Sequence, residues 1–196
     1  MLKKIFGGLL LTGVIIFIAK LIYFLYAFGV FEKDYSKQDL IENYELKKNE
    51  INDLYAYTNI IVQPKDDVHI EFESDKHLGI FHVVANTIYD SNWNIDVDSK
   101  KVDTLLVKLG WTKETLNILK DKLDKANCIS IESGEPLTLG FQRSGMGIYF
   151  YKVFKKPLSS KLIEEYNDGC NYIFYKENIV LEYGGGVIGT QCFERK

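Results

Sequence analysis

Residues 128–154 read CISIESGEPLTLGFQRSGMGIYFYKVF, and this stretch decides the fold. Short apolar runs alternate with connections of glycine, proline and polar residues, which is the pattern of strands and turns. We predict strands at 128–132, 137–142 and 147–154. Because strands joined by such short connections pair antiparallel, the stretch predicts an antiparallel sheet.

Outward from this stretch, the sequence predicts further strands and helices on both sides. Strands are predicted at 68–73, 78–84, 170–175, 179–183 and 187–193, with a polar loop at 86–98. Helices are predicted at 37–57, at 100–109, from the N-cap Thr112 to Ala126, and in a short segment that ends near residue 167. The fold class is therefore α+β, a mainly antiparallel sheet of about seven to eight strands with three to four helices on one face.

Composition limits the range of functions. The apolar fraction is 46%, the charged fraction is 26%, and the net charge is −3. These values are typical of a globular protein, and the chain beyond its apolar N-terminal segment is long enough for one domain. Because no basic stretch suits a phosphate backbone, we expect no nucleic acid partner.

The N-terminal residues 5–31 carry a single charge, Lys20. A bilayer core needs roughly 20 apolar residues in a helix. We therefore predict that residues 1–31 form a transmembrane anchor with a cytoplasmic N-terminus, and that residues 32–196 form a single extracytoplasmic domain. The alternatives are a secreted domain after signal cleavage near Ala27 and a soluble buried helix.

Three residues of the first hairpin form a candidate metal site. If this hairpin turns at residues 75–76, His69 lies opposite His82, and Glu71 lies on the same face of the sheet. Two imidazoles and a carboxylate can hold zinc. The alternative is a half-buried, hydrogen-bonded histidine pair, and a register slip of one residue would destroy the pairing altogether.

The connection between the strands at 137–142 and 147–154 is a candidate binding loop. It contains Arg143 and Ser144 beside glycines, and the turn with Glu135 precedes the first of these strands. Charged residues on glycine-containing loops often bind ligands. Ser144 does not lie in the G-x-S-x-G nucleophile elbow, so the pattern does not indicate a catalytic serine. The alternative is a structural connection between two strands.

The strand at 147–154 is rich in aromatic residues. Alternation places Tyr149 and Tyr151 on one face of the sheet and Phe150 and Phe154 on the other. Tyrosine offers a rigid amphipathic surface to a protein or glycan partner. Packing within a second layer is the alternative for the tyrosine face.

Two further motifs lack the context that their chemistry needs. Residues 184–189 match G-x-G-x-x-G, but only 7 residues follow, too few for a dinucleotide-binding unit. Residues 90–94 resemble the start of a calcium loop, but Ile95 and Lys101 occupy the positions of its glycine and glutamate. We therefore expect no cofactor.

The cysteines are odd in number: Cys128, Cys170 and Cys192. If the last three predicted strands form a meander, Cys170 and Cys192 lie at opposite turns, farther apart than the roughly 7 Å between bridged Cα atoms. We therefore predict that these two are not bonded to each other. A bridge that involves Cys128 and three reduced thiols are both consistent with the sequence.

These features favour a membrane-tethered, extracytoplasmic binding or interaction protein without catalysis, such as an inhibitor or immunity-type protein. One alternative is a small hydrolase or metal-dependent enzyme that uses His69, His82 and Glu71, or the loop of Arg143. The other alternative is a small-ligand sensor, which requires an apolar pocket.

Overall fold

The computed structural model describes residues 2–27, 33–85, 87–145, 147–184, 189 and 191–193, with side chains from Val14 onward. Its helices are α1 (Leu2–Ala27), α2 (Lys37–Ile61), α3 (Lys100–Leu109), α4 (Lys113–Ala126) and α5 (Ser160–Glu165). Its strands are β1 (Asp67–Ser74), β2 (His77–Ala85), β3 (Ile88–Asp96), β4 (Ser130–Glu132), β5 (Leu137–Ser144), β6 (Gly147–Val153), β7 (Tyr172–Lys176) and β8 (Ile179–Gly184).

All of these strands belong to one sheet, in the order β3-β2-β1-β4-β5-β6-β8-β7. Every neighbouring pair is antiparallel. The predicted α+β class and antiparallel sheet are therefore confirmed. Since β1 pairs with β4, the first three strands lie directly beside the strands that follow α3 and α4.

Helices α2, α3 and α4 pack on one face of the sheet, which we call the inner face. Helix α2 begins at a capping box, in which the Ser36 N–H donates to the Asp39 carboxylate at 2.8 Å. It ends at Ile61, four residues beyond the predicted end at 57. Its buried apolar side chains are Leu40, Tyr44, Ile51 and Leu54.

The connection between α3 and α4 is fixed at both sides. Ser99 and Thr112 cap the starts of the two helices. Gly110 ends α3 with φ of 68°, the left-handed conformation that glycine adopts most easily. Trp111 then donates its indole N–H to the carbonyl of Ile61 at 2.8 Å, which ties this connection to the end of α2.

On the opposite face of the sheet, the outer face, the described residues form an apolar cover at one end only. There, Phe154, Leu158 and Val180 form a second apolar cluster, and Leu162 of α5 packs against it. At the other end, the outer-face side chains of β1, β2 and β3 around His69 and His82 are half-buried or exposed, whereas Glu71 is buried. This end of the sheet is therefore accessible to a partner.

The prediction of a polar loop at 86–98 is wrong, because residues 88–96 form the edge strand β3. Its Asp90 points towards α3, where it pairs with Lys108 and, at 2.9 Å, with Lys101. These two lysines hold the pKa of Asp90 well below its usual range. Polar residues are common on edge strands, where they discourage pairing with other chains, and here they concealed the strand.

The predicted strand at 187–193 is not formed in the part of the segment that can be described. Residues 185–188 and 190 lie outside the described residues, and residues 191–193 are irregular. The Gln191 N–H donates to the carbonyl of Tyr183 at 3.3 Å, so this segment returns beside the end of β8. The eight strands of the sheet therefore include β3, which was not predicted. They do not include a strand at the described residues 191–193.

The predicted transmembrane helix is not supported. Residues 2–27 are helical, but within the described residues we find no helix of the length and apolar character that crossing a bilayer requires. Residues 28–31 of the predicted anchor, and the side chains of its residues 5–13, lie outside the described part of the chain.

Candidate functional site

A row of outer-face residues crosses the first four strands of the sheet. The register of β1 and β2 places His69 opposite His82, as the sequence predicts. Ser91 of β3 lies on the far side of His82, and Glu132 of β4 lies on the far side of His69. Neighbouring residues in this row are separated by the spacing of one strand, about 5 Å.

Two exposed aromatic residues of β3 flank His82. Tyr89 is 66% exposed and Trp93 is 60% exposed. Their ring centroids lie 6.4 Å and 4.7 Å from that of His82, and the His69 ring lies 5.6 Å away on the other side. We call Tyr89, Trp93, His69 and His82 the His–aromatic patch. Exposed aromatic side chains grouped on one face favour an interaction site, unlike a single exposed side chain.

A cleft of about 120 Å³ opens within this surface. Its lining residues are Asp67, His69, His82, Val84, Tyr89 and Glu132. Burial, and then the neighbouring His69, lower the pKa of His82, which Glu132 partly opposes. The His82 imidazole is therefore mainly neutral at neutral pH, since the pKa of an ordinary histidine is about 6.5.

Glu71 shares the outer face with the two histidines but pairs with Arg143 instead. The Arg143 Nε donates to Glu71 Oε1 at 2.5 Å, and Nη2 donates to Oε2 at 2.7 Å. This bidentate pair directs the Glu71 carboxylate towards Arg143. Among the residues that the structure describes, no group of three or more His, Cys, Asp or Glu side chains could hold a metal ion. The candidate zinc ligands His69, His82 and Glu71 are therefore not assembled as a site.

The candidate binding loop is tied to the rest of the domain. Besides the pairing of Arg143 with Glu71, the Ser144 hydroxyl donates to the Asp34 carboxylate, which joins the β5–β6 hairpin to the segment before α2. Glu135 lies beyond the opposite end of β5 and accepts from the Lys155 N–H at 2.9 Å. The structure thus does not bring Glu135 together with Arg143 and Ser144.

Tyr149 and Tyr151 point to the inner face, opposite Phe150, as alternation predicts. They are 2% and 0% exposed. The Tyr151 hydroxyl donates to the Leu40 carbonyl at 2.8 Å and accepts from Asn43 Nδ2 at 3.1 Å, so it links β6 to α2. This burial favours packing over a recognition surface for both tyrosines.

A second cleft, of about 360 Å³, lies at the end of the sheet beside the start of α2. Tyr149 stacks on Tyr183 there, with 4.1 Å between ring centroids. Tyr35 meets Tyr149 edge to face at 5.8 Å, and Phe193 lies 5.9 Å from Tyr149. Polar residues complete its lining: Asp34, Ser36, Asp39 and Gln191.

Cys170 and Cys192 form a disulfide, which corrects the prediction that they are not bonded. Their Cα atoms lie 4.2 Å apart. The prediction assumed a third strand in a meander, but residues 191–193 return beside the start of β7, where the Phe193 N–H donates to the Cys170 carbonyl at 2.9 Å. Cys128 is free and buried, and burial raises the pKa of its thiol far above the usual range.

Sequence reasoning missed Tyr89, Trp93 and Glu132 as site residues. The first two fall in the stretch that was predicted as a loop. Their alternation with Asp90 and Asn92 over 89–93 is a period of two, and it was the available signal for a strand with an aromatic face. Glu132 could be found only from the pairing of β4 with β1, which local sequence does not reveal.

Comparison with known proteins does not extend this description. The chain matches no known family model, no curated protein and no solved structure. Because one architecture hosts many unrelated activities, the α+β class does not indicate a function.

Proposed function

We propose that this protein is an extracytoplasmic, membrane-tethered binding protein without catalysis, and that it recognises its partner through the outer face of β1–β4. The observation that carries this proposal is the pair Tyr89 and Trp93, which are both exposed on the outer face of β3 and both approach the ring of His82. Aromatic residues are enriched at binding interfaces because they bury a large area with little loss of conformational freedom.

The arrangement of charged groups favours binding over hydrolysis. A hydrolase built on His69 and His82 needs a carboxylate that orients an imidazole or shares a metal ion with it. Glu71 is committed to Arg143. Glu132 lies beside His69 in the register but, in the part of the chain that the structure describes, forms no hydrogen bond with either histidine. The site therefore offers contact surface and hydrogen-bonding groups.

Two features support the location. Residues 5–31 contain one charge, Lys20, and their sequence supports a membrane tether. The disulfide Cys170–Cys192 supports a domain outside the cytoplasm, since disulfides persist in oxidising compartments. In such a location the partner is an envelope or extracellular molecule.

Site-specific crosslinking in intact cells tests the proposal. A photoreactive phenylalanine analogue would replace Tyr89 or Trp93 in the full chain, and Leu46 in the control. Leu46 is 79% exposed but lies on α2. We expect adducts of discrete mass from positions 89 and 93 and none from position 46. Equal labelling at all three positions would contradict the proposal.

The cleft beside the start of α2 supports a second candidate, a small-ligand sensor. Its volume of about 360 Å³ falls in the range of small-molecule sites. The stacked pair of Tyr149 and Tyr183 provides an aromatic wall. Thermal-shift screening of the full chain against a library of small aromatic and cationic compounds tests this candidate; substitution of Tyr183 by alanine should abolish any shift that arises from binding there.

A further inference from the structure

We propose that the cleft in the outer face receives a cationic side chain, lysine or arginine, from a polypeptide partner. This inference rests on the proposed function and names the class of partner that the outer face recognises. The juxtaposition that carries it is an aromatic wall, Tyr89, on one side of the cleft and two carboxylates, Asp67 and Glu132, on the other.

The charge of the cleft is complementary to a cation. Its lining contains two acidic residues and neither lysine nor arginine among the described residues. Asp67 Oδ1 accepts from the Ser133 hydroxyl at 2.8 Å, which fixes this carboxylate at the rim. Glu132 is exposed and lies beside His69. A guanidinium or ammonium group placed between the two carboxylates would gain charge-assisted hydrogen bonds.

The aromatic side of the cleft adds to this preference. A cation that lies over the face of a tyrosine or tryptophan ring is attracted by the negative potential of that face. Tyr89 lines the cleft and is 66% exposed, so its ring is accessible. The floor is formed by His69 and His82, and the lowered pKa of His82 keeps that imidazole from adding a positive charge that would repel the ligand.

The size of the cleft indicates a side chain and not a free small molecule. Its volume of about 120 Å³ is well below the 300 Å³ or more that is typical of small-molecule sites. A lysine or arginine head fits such a space while the backbone that carries it stays outside. The exposed Trp93, which lies against His82 at 4.7 Å, offers apolar contact to the residues that flank the inserted side chain.

A titration with matched peptides tests this inference. The probes are two short peptides that differ at one position, which is arginine in one and its uncharged isostere citrulline in the other. Binding to the full chain would be followed by backbone amide chemical shifts. We expect the arginine peptide to shift Asp67, His69 and Glu132, and to bind about five-fold more tightly than the citrulline peptide, the upper value for one solvent-accessible ion pair.

Variants of the protein give the second arm of the test. Glu132→Gln and Asp67→Asn should each weaken binding of the arginine peptide about five-fold. Asp121→Asn makes the same change of charge on the exposed face of α4 and should leave binding unchanged. Equal binding of both peptides, or equal effects of the Glu132 and Asp121 variants, would overturn the inference.

The outcomes also separate this inference from the proposed function. If positions 89 and 93 crosslink a partner but arginine has no advantage over citrulline, the outer face is a binding surface whose partner is not recognised by a cation, and the inference is wrong. If neither position crosslinks and no peptide shifts the outer face, the proposed function fails as well.

Discussion

Glu71 and Arg143 form a bidentate ion pair on the outer face, with N···O distances of 2.5 and 2.7 Å, although 72 residues separate them in the sequence. Glu71 is 2% exposed. Taking such a carboxylate out of water is costly, and the guanidinium compensates for this cost through two parallel hydrogen bonds. The pair therefore joins β1 to the end of β5 across the short strand β4.

Removal of Arg143 should destabilise the fold. Arg143→Met leaves the Glu71 carboxylate buried without its partner, and we expect the free energy of unfolding to fall by about 2–3 kcal/mol. This value is at the low end for a buried pair because the Arg143 side chain is 37% exposed, so that water can reach the site. Urea unfolding of the full chain, followed by circular dichroism, measures the change.

Two variants control this experiment. The double change Glu71→Met and Arg143→Met removes both charges and should recover most of the lost stability, because no charge is then left buried. Lys122→Ala breaks the ion pair of Lys122 with Asp53, a carboxylate that is more exposed than that of Glu71. This change should cost less than about 1 kcal/mol. A double variant that is no more stable than Arg143→Met would show that the buried charge is not the cause.

The first hairpin shows what sequence can predict about this site. Its polar turn and the alternation on both sides fix one register, and that register places His69 opposite His82, as the structure has it. Both signals lie within a few residues along the chain. The tyrosine strand is similar, since a period of two is enough to place Tyr149 and Tyr151 on one face.

The rest of the site depends on contacts between distant segments. The pairing of Glu71 with Arg143 follows from the insertion of β4 between β1 and β5, which no local pattern specifies. Strand β3 was hidden because its Asp90 is satisfied by Lys101 and Lys108 from a helix that comes later in the chain. In each case the deciding partner is remote in sequence, so propensity and periodicity alone could not identify it.

The disulfide should make a measurable contribution to stability. Cys170 and Cys192 are 22 residues apart, and a bridge that closes a loop of this size stabilises a domain by about 3 kcal/mol through restriction of the unfolded chain. Cys170→Ser with Cys192→Ser should lower the free energy of unfolding by a similar amount. Peptide mapping of the non-reduced protein should find this bridge, with Cys128 as the free thiol. A bridge to Cys128 would contradict the structure.

Gly140 should not tolerate a side chain. A Cβ atom at this position would lie 2.0 Å from the Ser130 hydroxyl oxygen and 3.2 Å from Ile148 Cδ1. Because Ser130 is buried in the neighbouring strand, it cannot move aside, and Gly140→Ala should cost about 1–3 kcal/mol. Thermal or urea unfolding of the variant measures this cost.

Gly79 provides the matched control for this substitution. A Cβ atom there would meet the exposed Glu73 side chain, with Oε1 at 2.9 Å and Cγ at 3.1 Å. This side chain can swing away, so Gly79→Ala should change the stability by less than about 0.5 kcal/mol. Addition of Ser130→Ala to Gly140→Ala should restore part of the stability, and no recovery would show that the hydroxyl is not what the new methyl group strikes.

Two histidines of β2 should titrate on opposite sides of the ordinary histidine value. Burial and His69 lower the pKa of His82, whereas the hydrogen bonds that the His77 imidazole donates to Asn94 and Asp96 raise the pKa of His77. Two-dimensional NMR of the imidazole signals, assigned with His→Asn variants, measures both values. We expect the midpoint of His82 below about 6.5 and that of His77 above it. If His77 and His82 titrated with the same midpoint, the prediction that their environments shift the two pKa values in opposite directions would be wrong.

The same shifts predict opposite contributions to stability as pH changes. The unfolded chain binds a proton at His82 more readily than the folded protein does, so the His82 contribution is complete above about pH 6.5 and is lost as the pH falls through the lowered folded value. For His77 the contribution is complete below about pH 6.5 and is lost as the pH rises through the raised folded value. The free energy of unfolding of His82→Asn should therefore fall less than that of the parent chain between about pH 7 and 5. This interval lies within the range in which histidine titrates. As the pH rises above about 6.5, the parent chain should lose the stability that His77 contributes, and His77→Asn should not show this loss.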